Sequence, residues 1–246
     1  MSHLSRSTLL LAMALAMPLS AQQSTATFRV DVLPTVELQS GDAVRITYRV
    51  RFHSSAADTL SEFAVKSPVA VQRITPGTRG STSIFGMTRE GDSDAASWGW
   101  TSSEPVDGQT SAPVSYEAIG LPGIVSFRAA RWVPSREAGP GELDQDPGIL
   151  SYDEADADQV IGKTVGVVPF PSDMSSEAMG RRAEALAADA CALGWIDNAG
   201  VCNSLRVKIR ARHWDALLHE LDAQRGKHVD DNAYFLLYPT AQRLSS

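Results

Sequence analysis

The sequence predicts an all-β, immunoglobulin-like antiparallel sandwich followed by a small all-α helical domain. Three observations carry that expectation. From about residue 26 to 168 the apolar residues alternate with polar ones at a period of two. Clusters of Gly, Pro and Asp punctuate that region at short intervals, as turns do. Beyond residue 175 the apolar residues recur instead at three- and four-residue steps, the period of a helix. The boundary is placed near residue 170, with a sandwich domain over 26–170 and a helical module over 171–246.

The chain opens with MSHLSRSTLLLAMALAMPLSA, which carries one Arg, an apolar run from Leu9 to Met17, Pro18 and small residues. That order reads as a secretory signal peptide over residues 1–21, with cleavage after Ala21. The apolar run is too short for a stable membrane anchor, and no later segment approaches spanning length. The mature protein is therefore expected to be exported, to the periplasm or the extracellular space, without a membrane span.

Charge narrows the function classes. The whole chain has a formal charge of -7. Residues 1–21 contain Arg6 and no acid, so their removal leaves 21 cationic against 29 acidic side chains. Residues 137–162 hold eight acids and no Lys or Arg, and the rest of the mature chain balances. Nucleic-acid binding needs a basic face that releases counterions, and this distribution argues against it. The alternation Arg206, Lys208, Arg210, Arg212 is the counter-argument, but on a helix those residues spread around the cylinder.

The strands follow in order. Phe28, Val30 and Val32 alternate with polar neighbours. Val44, Ile46, Tyr48, Val50 and Phe52 alternate with Arg45, Thr47, Arg49 and Arg51, which describes a half-buried strand after a Gly41-Asp42 turn. Further strands are expected at 63–65, 69–74, 112–119, 125–132 and 160–168. Seven or so short strands with such punctuation suit a two-sheet sandwich. Neither cysteine lies among them, so the internal disulfide of antibody domains is absent. The acidic stretch 137–162 reads as a long loop before the last strand, and PFPSD as the passage into the helices; the alternative is an interdomain linker, with the boundary near 135.

In the helical module, Met179, Ala183, Leu186, Ala190 and Leu193 keep helical spacing, with Ser175 or Ser176 at the N-cap. Gly194 and Asp197-Asn198-Ala199-Gly200 break that helix, and a second is expected from Asn203 or Ser204. Trp214, Leu217, Leu218 and Leu221 mark a third, stopped at Gly226. Asp230 caps a fourth that Pro239 should end or kink.

Cys191 and Cys202 are the only cysteines, and they flank the first interhelical turn. After export they would close a loop of about a dozen residues, worth about 3 kcal/mol in the chain-entropy model. The alternatives are a metal site or a reactive thiol. Structural zinc wants four ligands, and no paired His or Cys-x-x-Cys accompanies these two.

The pattern LGWIDNAGVCNSL, followed by LHELDAQRGKHVDDNAYFLL, resembles the FIMAH domain, a small helical module. The resemblance rests on Gly194, Ile196, Gly200, Ser204, Leu205, Gln224, Gly226 and Lys227, and covers about seventy residues. It implies an accessory unit at the end of an exported bacterial protein, and no catalytic residue comes with it. The connection between Ile209 and Trp214 is shorter than that pattern, and Pro239 interrupts it.

Asp153, Glu154, Asp156 and Asp158 form a carboxylate cluster that invites a calcium site; the EF-hand pattern fails, with Val165 where the bidentate Glu belongs. Against calcium stands the plainer reading of a solvated loop. Trp98 and Trp100 would share one face of a strand and could stack sugar rings, or could fill the core. No Gly-x-Ser-x-Gly elbow and no His-Glu-x-x-His helix occurs, and no residue is singled out as catalytic. His213, His219 and His228 lie in the helical module, where a surface role is expected. No cofactor is expected. The sequence thus points to an exported, non-enzymatic binding or scaffold protein of the cell envelope or extracellular space, with an envelope polysaccharide or another protein as partner. The alternative is a small secreted hydrolase acting on carbohydrate.

Overall fold

The computed structural model describes residues 28–54, 59–75, 84–87, 95–100, 105–132 and 159–245. Among the described residues nine strands run β1 (Phe28–Leu38), β2 (Ala43–Ser54), β3 (Thr59–Lys66), β4 (Val71–Thr75), β5 (Ile84–Met87), β6 (Ala95–Trp100), β7 (Val114–Ile119), β8 (Leu121–Trp132) and β9 (Gln159–Val168). Four helices follow: α1 (Ser176–Ala192), α2 (Ala199–Arg210), α3 (Trp214–Gln224) and α4 (Asp231–Ser245).

The strands make two antiparallel sheets, ordered β1-β2-β7-β4 and β5-β6-β3-β8-β9. The first order reproduces the A-B-E-D sheet of an immunoglobulin sandwich, and β9-β8-β3 reproduces G-F-C. The β5–β6 hairpin extends the second sheet beyond β3. The fold class is therefore the immunoglobulin-like sandwich that the alternation indicates, with four helices after it.

β2 shows why the sheets face as they do. Val44, Ile46, Tyr48, Val50 and Phe52 are all buried, while Arg49 and Arg51 between them are exposed. Burying one full face of a strand locks its register, because a one-residue slip would turn all five outward. In place of an intersheet disulfide, the core holds an aromatic cluster. Phe63 stacks on Trp98 with ring centroids 5.9 Å apart, and Tyr48 meets Phe63 edge-on at 5.4 Å and Trp98 at 6.1 Å. Each such pair adds about 0.5–1.5 kcal/mol beyond its area.

Several boundaries differ from the sequence reading. β4 starts at Val71 rather than Val69, and β8 at Leu121 rather than Val125. β1 runs straight through Pro34, which an edge strand tolerates because one side of it needs no ladder donor. β7 passes to the other sheet at Gly120, where a Cβ would collide with the Val168 carbonyl oxygen, so only glycine fits the corner.

The helices keep most of their predicted faces, but Leu193, expected on the buried side of α1, is its C-cap and is 41% exposed. Ser175 Oγ accepts from Ala178 N at 3.3 Å, and Met179, Ala183, Ala187 and Ala190 are buried along α1. α2 begins at Ala199, ahead of the expected Asn203, because Asn198 is its N-cap and accepts from Val201 N at 3.1 Å. Asp230 caps α4 through Ala233 N at 2.8 Å. Pro239 does not end α4, which continues to Ser245 with Pro239 buried inside it. No helix among the described residues is long and apolar enough to cross a membrane.

Candidate functional site

β1 and β9 are edge strands of opposite sheets, so the sandwich has an open seam where backbone groups lack a neighbouring strand. Side chains and α4 occupy it. Tyr48 Oη donates to Val165 O at 2.7 Å, and Val167 N donates to Tyr116 Oη at 2.8 Å. Asn232, at the start of α4, takes one more backbone group on each edge. Its Oδ1 accepts from Thr164 Oγ1 at 3.0 Å and from Val165 N at 3.4 Å, and its Nδ2 donates to Val32 O at 3.3 Å. One buried amide thus joins β9, β1 and α4. Burial pushes the Tyr116 phenol up to about 12 and raises that of Tyr48 well above its ordinary value, so both remain neutral hydrogen-bonding groups.

At one end of this junction lies a cavity of about 310 Å³. It is bounded by the β1–β2 turn, the β7–β8 corner, α1 and the last turns of α4. Val44, Leu121, Pro122 and Met179 make a buried apolar floor, with Pro239 and Thr240 beside them. Gln39, Asp42, Gln242 and Arg243 form an exposed polar rim. Arg243 Nη2 and Asp42 Oδ1 pair across the mouth at 3.2 Å. Asp42 holds a left-handed backbone, φ 60°, directly after Gly41 at φ 71°. That strain belongs to a turn that must reverse in very few residues. Thr240 is 3% exposed, and its hydroxyl meets no hydrogen-bond partner among the described residues. Arg182 fixes α1 beside the cavity by donating from Nη2 to Pro122 O at 2.6 Å, and desolvation lowers its pKa.

The sequence candidates fall elsewhere. Cys191 and Cys202 are joined as a disulfide with Cα atoms 6.1 Å apart, tying the end of α1 to α2. The residues that carried the family resemblance take structural places across the helical unit. Ile196 bridges Val229, and Gln224 O accepts from Lys227, His228 and Val229 amides. Gly226 sits at φ 71°, Leu205 is buried, and Ser204 Oγ donates to Glu220 Oε2 at 2.9 Å. These are turn, core and bridging roles.

Trp98 and Trp100 correct the sugar-platform expectation. Trp98 is 0% exposed and Trp100 7%, so their shared strand faces the core and offers no open ring. Trp132 closes β8. Asp153, Glu154, Asp156 and Asp158, the calcium candidates, lie outside the described residues, as does the leader 1–21. Among the described residues no group of three or more His, Cys, Asp or Glu side chains is placed to hold a metal. His228 Nδ1 lies 2.8 Å from Asp197 Oδ1 at the surface of the helical unit.

The sequence marks Asp42 only as a turn residue and gives no site role to Asn232, Thr240 or Arg243. The available signal is a polar Asn232 beside Ala233 and ahead of Leu236 and Leu237, on the side of α4 that carries apolar residues.

No family model matches the chain, and no curated protein matches it. Among solved structures it is similar to an uncharacterized protein from Nocardia farcinica, described as revealing an immunoglobulin-like fold. The two share 15% identity over 41% of this chain and 76% of that one, with a TM-score of 0.32. The fold assignment rests on the sheet order described above.

Proposed function

We propose that this chain is an exported, non-enzymatic binding or scaffold protein of the cell envelope or extracellular space. The observation that carries the reading is the apolar-floored cavity at the junction of the sandwich and helices α1 and α4. A buried floor with a polar rim is the anatomy of a site that holds a ligand, and such sites favour junctions between units. Export is supported by the leader-like residues 1–21 and by the Cys191–Cys202 disulfide, a bond that persists in oxidising compartments. In this reading the helical unit is an accessory module of the FIMAH-like kind, and the sandwich supplies its rigid partner.

Burial of Trp98 and Trp100 shifts the expected partner from a polysaccharide towards another protein. The test is retention of purified residues 22–246 on peptidoglycan sacculi, insoluble polysaccharides and whole cells. Retention on whole cells that is lost after protease treatment of those cells supports the reading. Retention on polysaccharide alone, or turnover of a soluble glycan substrate, would replace it.

A further inference from the structure

Among the described helices α4 is buried on two sides. Its buried residues run from Asn232 to Ala241 and, at about 100° a residue, cover roughly 220° of its circumference. Those of α1, Met179, Ala183, Ala187 and Ala190, fall within about 80°, the stripe of a helix that packs on one side. α2 buries only Leu205 and Ile209, and α3 only Leu217 and Leu221. The second side of α4 has its own partners. It packs on α1 and α3 within the helical unit, and on β1, β8 and β9 of the sandwich.

These partners are far apart in the chain. Val32, whose carbonyl oxygen accepts from Asn232 Nδ2, lies 200 residues before it. Asp42 lies 201 residues before Arg243, though that exposed pair adds little. α4 is not complete until Ser245, 77 residues after Val168 ends the last strand. At synthesis rates of about 5–20 residues per second, that interval is about 4–15 s, longer than most all-β domains need to fold. A sandwich stable by itself would therefore close before α4 existed. The seam argues otherwise. β1 and β9 are edges of opposite sheets, and the Val32 carbonyl and Val165 amide reach across to α4 rather than to another strand. We infer that α4 is a clasp on which closure of the sandwich depends. The β1/β9 seam stays open until residues 231–245 dock across it, so the sandwich and the helical unit complete their folds together rather than in chain order. An unfinished sandwich suits a chain that crosses a membrane before folding, but the clasp stands or falls without the export reading.

The experiment compares residues 22–246 with residues 22–230, which lack α4, by hydrogen exchange at the amides of β2 and β9. A synthetic peptide of residues 231–246 is then added to the shorter chain. Without the peptide, the β2 and β9 amides should exchange at least about 100-fold faster than in residues 22–246. The peptide should restore their protection saturably. A peptide carrying N232A should need at least about tenfold more to reach the same protection, because it cannot meet the seam's backbone groups. A scrambled peptide of the same composition should restore none.

Full protection of β2 and β9 in residues 22–230 would overturn the inference, because the sandwich would then close unaided. Equal rescue by the N232A peptide would overturn it too, since the seam amide would have no part in the clasp. If residues 22–230 precipitate, they are refolded from urea with the peptide present. Recovery of soluble protein with protected β2 and β9 amides supports the clasp. Failure of the unaltered peptide to rescue either form would show that the open sandwich cannot receive α4, and would overturn it. Export is tested separately by cell fractionation, and neither result alters the other.

Discussion

Asn232 and Thr164, 68 residues apart in sequence, share a buried hydrogen bond of 3.0 Å that fastens α4 to the last strand of the sandwich. The same amide donates to Val32 O, so one side chain spans the two open edges that an immunoglobulin-like sandwich leaves at its seam. N232A should leave Val165 N, Val32 O and the Thr164 hydroxyl without this partner. Each buried polar group left unmet costs about 1–3 kcal/mol, so a loss of at least that size is expected by urea denaturation. A loss below about 0.5 kcal/mol would mean water replaces the amide freely.

The Cys191–Cys202 disulfide closes an 11-residue separation between α1 and α2. Reduction, or the double change C191S and C202S, should lower stability by about 3 kcal/mol in the chain-entropy model. Thermal melts with and without reductant check this. Leu205 and Ile209 pack α2 independently of the sulfurs, so the fold should survive reduction with a lower Tm.

Alkaline pH should destabilise the protein through two tyrosines. Tyr116 is raised to about 12 and Tyr48 is raised as well, both chiefly by burial, while an unfolded tyrosine titrates near 10. The folded state therefore holds these protons more tightly than the unfolded state. Their contribution is complete below about pH 10 and is lost as pH rises through about 12. Unfolding free energies measured from pH 8 to 12 should fall across that window, and Y48F or Y116F should flatten the fall. Y48F also leaves Val165 O without its donor, so it should be less stable than wild type at neutral pH.

Local pattern made much of the fold visible beforehand, and distance in sequence hid the rest. β2 announced itself because every second residue from Val44 to Phe52 is apolar and every one is buried. The α1 cap at Ser175 and the α4 cap at Asp230 follow from short-range hydrogen-bonding chemistry that a sequence states directly. Asn198-Ala199-Gly200 reads as a breaker, yet α1 has already ended before Gly194 and Asn198 instead starts α2 as its N-cap. Pro239 looked like a stop because local rules weigh the missing N–H and not the packing that carries α4 onward to Ser245. The cavity could not be read at all. Its walls come from residues 38–44, 120–122, 179 and 239–243, which only the docking of α4 on the sandwich brings together.

Trp98 should behave as core. It is fully buried, stacks on Phe63, and its Nε1 finds no hydrogen-bond partner among the described residues. W98A should cost about 3–5 kcal/mol. W98F should cost clearly less, because it keeps a ring against Phe63 and removes a buried donor that is unpaired. Equal losses for the two variants would show that the indole nitrogen is engaged.

α4 and the sandwich are expected to open as one cooperative unit, fastened through the seam. Native-state hydrogen exchange tests it most directly, read at the amides of β9 and α4 in wild type and N232A. The two sets should share one opening free energy in wild type and fall together in the variant. Exchange of the α4 amides at a distinctly lower free energy than those of β9, unchanged by N232A, would contradict it.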